Sequence, residues 1–247
     1  RQEHVILSIS RQGLNRLLLD AAEHTGSVRL EFERRLTGVD LDAGRLDIAS
    51  GPEEHHVEVS FEHVIGADGS ASVLRDALAG RPGFTCRTER LAHGYKELSL
   101  APDSRGRFAL REDCLHIWPR GGYMLIALPN LDRSFTCTLF YPVEGEHSFE
   151  TLETAEAVLE LFALEFPDLL ALMPDLVEQF QGNPMGNLAT VYSGPWNLDH
   201  HMLLIGDAAH AVVPFFGQGM NGSFEDALEL SVQLAAHGPS WERVFAA

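Results

Sequence analysis

Lysine is almost missing from this chain. Lys96 is the only one in 247 residues, and Lys plus Arg number 18 against 36 Asp plus Glu, a formal net charge of -18. Nucleic-acid binding requires clusters of basic side chains that displace counterions from phosphates. None occurs here, so nucleic acid is excluded as a partner, and the acidic excess reads as a solubility feature. Cysteine is scarce too: Cys86, Cys114 and Cys137 are odd in number, far apart and without a Cys-x-x-Cys. That pattern argues against a disulfide framework and for a reducing compartment. Cys114 and Cys137 lie in apolar runs and are expected to be core thiols. No apolar run approaches the ~18 residues of a membrane-spanning helix, and no signal peptide is visible. The cytoplasm is the expected location. The 12 histidines invite a metal reading. However, His55-His56 and His200-His201 are adjacent pairs, which point to opposite faces of a strand, and neither His-Glu-x-x-His nor a Cys/His zinc spacing is present. No metal site is expected. Arg1 opens the chain and "SWERVFAA" closes it like a helix cut short, so a piece of a longer protein is expected.

The periodicity that is present has α/β grammar. "VILSI" (5–9) predicts a buried strand, with Ser10 as an N-cap. Leu14, Leu17, Leu18, Ala21 and Ala22 then fall at helical spacing up to Gly26. "VRLEF", "RLTGVDL", "GRLDIA" and "HVEVSFE" predict short strands. "HVIGADGSASVLRDAL" predicts a strand, a glycine turn and a helix, in which Ser70 or Ser72 can cap and Arg75 follows about one turn in. From about 90 to 141 the texture becomes β-rich: "GYKELSL", "CLHIWP", "YMLIALP" and "SFTCTLFY" read as successive strands. Alternation puts Met124, Ile126 and Leu128 on one face and Tyr123, Leu125 and Ala127 on the other. Both faces are apolar, so cover on both sides is expected. Helices broken at Pro167 and Pro174 and a strand at "NLATVYS" follow. The predicted architecture is α/β: part of an FAD/NAD(P)-binding Rossmann-like domain (1–89 and 194–247) with an inserted antiparallel β-sheet substrate domain (90–193).

The segment "HMLLIGDAAHAVVPFFGQGMNG" holds the main functional signal. GQGMNG (217–222) has the spacing of a dinucleotide-binding turn. Such a turn must follow its strand directly, whereas here the strand "MLLI" ends at Gly206 and ten residues, Pro214 among them, intervene. A different role fits better. Asp207 stands at the carboxyl end of a buried strand, where ligands of open α/β sheets bind, and its carboxylate can accept hydrogen bonds from sugar hydroxyls. A helix beginning near Gly219 aims unpaired N–H groups and a partial positive charge outward, suited to the electron-rich edge of a ring such as reduced flavin. A glycine turn that merely changes the chain direction is the alternative, just as plain core packing is the alternative for the Met124, Ile126 and Leu128 row.

Two motifs then carry a resemblance. "GADGSASVLR" and "LLIGDAAHAVVPFFGQGMNGSFEDA" are similar to the Asp-Gly and Gly-Asp motifs of class A flavoprotein monooxygenases. Within that superfamily, "HGYKEL", "CLHIWPRGGYMLIALPNLDRSFTCTLF" and "VVPFFGQGMN" resemble the kynurenine 3-monooxygenase family over nearly the whole chain, least at 42–60, 101–111 and 143–185. The resemblance implies FAD as cofactor, NADPH as reductant and O2 as co-substrate. It implies hydroxylation of L-kynurenine to 3-hydroxykynurenine through a flavin C4a-hydroperoxide, with no protein nucleophile. It places Arg11 at the FAD phosphates, Asp68 and Arg75 in a motif linked to FAD and NADPH, and Asp207 at the ribityl chain. Gly219, Met220 and Asn221 would face the isoalloxazine. The implied substrate pocket comprises Leu115, Met124, Ile126, Leu128 and Phe135 from the sheet, closed by Phe215, Phe216 and Gln218. The family's pyrophosphate-binding G-x-G-x-x-G has no counterpart in this sequence, so the 247 residues alone are expected to bind FAD poorly. A flavin hydroxylase of another aromatic acid, or an inert folding or interaction fragment, are the alternatives.

Overall fold

A computed structural model describes residues 9, 11–51, 54–214 and 217–247. In chain order the elements are α1 (Arg11–His24), β1 (Arg34–Asp40), β2 (Arg45–Ser50), β3 (His55–Ser60), β4 (Val64–Gly66), α2 (Val73–Ala77) and the long β5 (Thr85–Leu100). Then come β6 (His116–Pro119), β7 (Met124–Pro129), β8 (Phe135–Pro142), α3 (Ala155–Glu165), α4 (Pro167–Leu170), α5 (Leu176–Gly182) and β9 (Met185–Gly194). The chain closes with β10 (Asn197–Leu198), β11 (Met202–Leu204), α6 (Asp207–His210), α7 (Gly219–His237) and α8 (Trp241–Ala246). It divides into two units, one of residues up to Leu30 plus Leu91–Leu188, the other of Glu31–Arg90 plus Ala189–Ala247.

In the sheet unit the strand order is β6-β7-β8-β5-β9. Side chains alternate across it, and the two faces meet different fates. Leu98, Leu100, Leu125, Ala127, Phe135, Cys137, Leu139 and Tyr141 pack against Val158, Phe162, Phe166, Leu169, Met173, Leu176 and Phe180 of the α3–α5 region. Thr154 caps α3 by accepting from Ala157 N (3.2 Å), and Pro167 starts α4 at the position where a missing N–H costs nothing. The opposite face is only half-buried at Met124, Ile126 and Leu128, so the expectation of cover on both sides holds for one side. Cys137 is the expected core thiol, while Cys114 is half-buried and Cys86 exposed, all three free. The single lysine closes the bottom of this core: Lys96 Nζ donates to Phe180 O (2.7 Å) and Asn183 O (2.8 Å) at the end of α5. A cation there offsets both the orphan carbonyls and the negative helix end. Helix α1 forms and Gly26, at φ +67°, follows it, but α1 buries none of its residues: Leu17 is 63% exposed.

In the second unit β1, β2 and β3 form an antiparallel sheet, and β11 runs parallel to β4 with Met202 opposite Val64 and Leu204 opposite Gly66. A Cβ at Gly66 would lie 2.9 Å from Leu204 Cδ2 and 3.0 Å from Leu74 Cδ1, so this pair of strands and α2 require glycine there. Leu41, Leu74, Leu78, Met202, Leu204, Ala208 and Ala209 form the core. Each parallel strand runs into a turn and a helix, β4 into α2 and β11 into α6. The predicted strand at "VRLEF" does not form: among the described residues 28–32 join no strand ladder, and Val28 and Phe32 stay exposed. Alternation alone does not make a strand without a neighbour to complete its hydrogen bonds. The predicted strand at 5–9 and its Ser10 cap fall almost wholly outside the described residues. No described helix is long and apolar enough to cross a membrane.

Candidate flavin site

Strand β11 ends at Gly206, whose backbone (φ +59°, ψ -143°) lies near a region open in practice only to glycine. A Cβ there would also sit 2.8 Å from Ser223 Oγ. The turn therefore needs glycine twice, for its dihedrals and for the approach of α7. Asp207 follows at once and is exposed, at the first position of α6. Its Oδ1 is 3.7 Å from where a Gly219 Cβ would be, in the first turn of α7. The next contact up the helix is His210 against Gly222, at 3.8 Å by the same measure. Small residues at 219, 222 and 223 thus let α7 lie against the segment 206–210.

The start of α7 is chemically open. Its N-cap, Gln218, makes no side-chain cap, and the first turn carries no acid. The Asn221 amide reaches back to Gln218 Oε1 (3.2 Å), and Gly222 N is the first to bond within the helix, to Gln218 O (2.9 Å). The N–H groups of Gly219, Met220 and Asn221 precede that bond and form the positive end of a 19-residue helix. One carboxylate, an exposed glycine-rich backbone and a set of helix-start donors therefore share one surface. That donor and acceptor set fits a ribityl chain and the edge of an isoalloxazine ring.

The Asp-Gly motif supports this surface from behind. Asp68 Oδ2 accepts from Val73 N (2.8 Å) and Leu74 N (3.3 Å), and Ser72 Oγ from Arg75 N (2.9 Å), so both cap α2. Arg75 is buried, with Nη1 donating to Ala208 O (3.1 Å) and Nη2 to Ser70 O (2.7 Å). Its guanidinium reaches the site through the Ala208 carbonyl, and its Nε is a buried donor without a partner. Ser193 Oγ donates to Ala209 O (2.6 Å), fixing the same short helix from β9.

The substrate residues implied by resemblance belong to the sheet unit, and the register sorts them. Met124, Ile126 and Leu128 face Phe140, Thr138 and Thr136 across the strand pair, and these face Tyr95, Glu97 and Ser99 in turn. Leu115 lies just before β6 and is 37% exposed. Phe135 does not join this row. It pairs with Pro129, one residue out of phase, and is fully buried in the core on the other face, edge-on to Phe108 and His116. One position of offset reverses the face, so Phe135 is corrected to a core residue. Arg11 opens α1 and lines a cavity of about 690 Å³ with Gln12, Asn15, Tyr95, Glu97 and Asn130. Gln218 is exposed before α7. Phe215 and Phe216 lie outside the described residues. Sequence reasoning missed Ser223, Asp226, His210 and Ser193. The first two stand four and seven residues after Gly219, a helical spacing that marks them as one face of α7.

Residues 3–240 match the family model described as FAD binding domain. The chain is 48% identical over 240 residues to the kynurenine 3-monooxygenase of Myxococcus xanthus (strain DK1622), covering 97% of this chain and 52% of the relative. It thus spans about half the length of the curated relatives it matches. Among solved structures it is similar in fold to tetrameric 2-methyl-3-hydroxypyridine-5-carboxylic acid oxygenase, with TM-score 0.75 at 22% identity over 96% of this chain and 60% of that one. It is also similar to Klebsiella pneumoniae HpxO complexed with FAD and uric acid, with TM-score 0.69 at 20% identity over 95% and 57%. The family model spans nearly the whole chain, and the chain belongs to the FAD binding domain family.

Proposed function

We propose that this chain supplies the flavin-facing and substrate-facing parts of an FAD-dependent monooxygenase that hydroxylates L-kynurenine to 3-hydroxykynurenine, with NADPH as reductant and O2 as co-substrate. The observation that carries the reading is the placement of Asp207 beside the first turn of α7, its Oδ1 3.7 Å from where a Gly219 Cβ would be, at a helix start whose N-cap makes no side-chain cap. Bound FAD supplies the redox and oxygen-transfer chemistry, and the protein orients it and excludes water. In that role Asp207 accepts hydrogen bonds from ribityl hydroxyls, and the Gly219–Asn221 N–H groups donate to the pyrimidine edge of the ring, stabilising negative charge there. Arg75, Ser193 and the α2 caps hold the Gly206–His210 segment still. The Met124, Ile126 and Leu128 row offers an apolar wall for an aromatic substrate. The name of the M. xanthus relative supports kynurenine as that substrate, and the acidic, lysine-poor composition supports a cytoplasmic setting.

The test uses a protein carrying this chain together with the remaining length its curated relatives have. With FAD, NADPH and O2, L-kynurenine should yield a product one oxygen heavier by mass spectrometry. NADPH oxidation without hydroxylated kynurenine rejects the substrate. Turnover of salicylate-type or hydroxybenzoate-type acids in its place assigns a different aromatic acid.

A further inference from the structure

Asp226 lies seven residues into α7 and faces the strand-end turn. Its Oδ2 accepts the Gly206 N–H at 2.6 Å and is 2.8 Å from His210 Nε2. Gly206 and His210 are the two ends of the five-residue segment that carries Asp207. The carboxylate comes from the helix whose first turn carries Gly219, Met220 and Asn221. One oxygen therefore ties together the two halves of the candidate flavin site. The N-cap of α7, Gln218, makes no side-chain cap bond, and Ser223 Oγ is spent on Gly219 O of its own helix (3.0 Å).

The geometry points to Asp226 as a positioning residue for flavin binding. Through the Gly206 N–H it sets the direction in which Asp207 leaves β11, and so the gap between the Asp207 carboxylate and the α7 origin. His210 holds the same oxygen from the other end of α6, with its ring against Trp196 (centroids 5.0 Å apart). A hydrogen bond from a backbone N–H to a carboxylate is among the stronger ones available to hold a turn. The backbone it holds here is a glycine, which has more conformations open to it than any other residue and so gains most from a tie. This inference rests on the reading of Asp207 and α7 as the flavin contact.

The test uses a protein carrying this chain together with the remaining length its curated relatives have, and FMN, which has the ring and ribityl chain of FAD without the adenylate half. Amide NMR during FMN titration reads both the place and the strength of binding, and the Gly206 amide reads the tie itself. In Asp226→Ala the Gly206 amide proton should move upfield and exchange faster, and the FMN Kd should rise about tenfold, as loss of one charge-assisted bond predicts. Asp226→Asn keeps an acceptor and should restore the Kd to within about threefold of the parent. Val244→Ala, a core truncation in α8, supplies a loss of thermal stability without touching the tie and should leave the Kd unchanged. An unaltered Kd in Asp226→Ala, no rescue by Asn, or an equal loss in Val244→Ala would each overturn the positioning role alone. A parent chain with no saturable shift at Asp207 and Gly219 would overturn the flavin reading and this inference with it.

Discussion

Replacing Gly206 with alanine tests the strand-end turn most sharply. Alanine at φ +59°, ψ -143° carries a strain of about 1–3 kcal/mol. Its Cβ would also meet Ser223 Oγ at 2.8 Å. That hydroxyl can rotate away, at the loss of its bond to Gly219 O, worth about 1 kcal/mol. Together these give about 2–4 kcal/mol, or about 5–15 °C in Tm for a chain of this size. Thermal melts followed by circular dichroism read the shift. Made in a Ser223→Ala background, where that bond is already gone, Gly206→Ala should cost about 1 kcal/mol less than in the parent, which leaves the backbone part alone. A Gly206→Ala protein that melts within about 1 °C of the parent would refute the reasoning, because neither the dihedral nor the close approach of α7 would then be real.

Other consequences are open to measurement. Phe135→Ala should cost about 3–5 kcal/mol in urea unfolding, as for a buried aromatic, while half-buried Met124→Ala should cost clearly less; equal costs would contradict the assignment of the two sheet faces. Lys96→Ala strands two carbonyls in the core and should cost about 2–3 kcal/mol by the same assay. Burial raises the Cys137 thiol from near 9 to about 12, and burial together with the Glu165 carboxylate raises Tyr123 from near 10 to about 12. Both groups stay protonated in the folded chain where the unfolded chain has lost the proton, so stability should fall with rising pH between about 9 and 12, by up to about 1.4 kcal/mol per pH unit per group. Lys96, lowered by burial, contributes the opposite slope, and Cys137→Ala should flatten the decline by one group. FAD and FMN should bind the 247-residue chain within about threefold of each other, since its G-x-G-x-x-G at 217–222 does not follow a strand directly; a tenfold preference for FAD would show that a pyrophosphate site exists after all.

Much of this was legible before the fold. The onset of α7 at Gly219 follows from a glycine cluster that starts a helical period, and the exposed Asp207 follows from a buried strand ending in Gly-Asp. The row of Met124, Ile126 and Leu128 came from a period of two, which needs no tertiary knowledge. Phe135 was misplaced because a face depends on register, and register is set by the pairing of β7 with β8, which no single strand encodes. "VRLEF" had the alternation of a strand but joins no strand ladder among the described residues. Asp226 and His210 stayed hidden because their shared contact with Gly206 joins residues up to twenty positions apart, and a carboxylate in the middle of a helix looks like any solvated acid until the strand end behind it is seen. The anchoring of Arg75 was hidden for the same reason, since the carbonyl that captures it, Ala208 O, lies 133 residues away.

The most direct measurement is the FMN titration repeated with Asp207→Ala. In the parent chain the amides of Gly206, Asp207, Gly219, Met220 and Asn221 should shift together and saturate, and loss of the carboxylate should weaken that binding about tenfold. Saturable shifts gathered on other elements, or an Asp207→Ala chain that binds FMN as tightly as the parent, would contradict the assignment of the flavin to this carboxylate and this helix start.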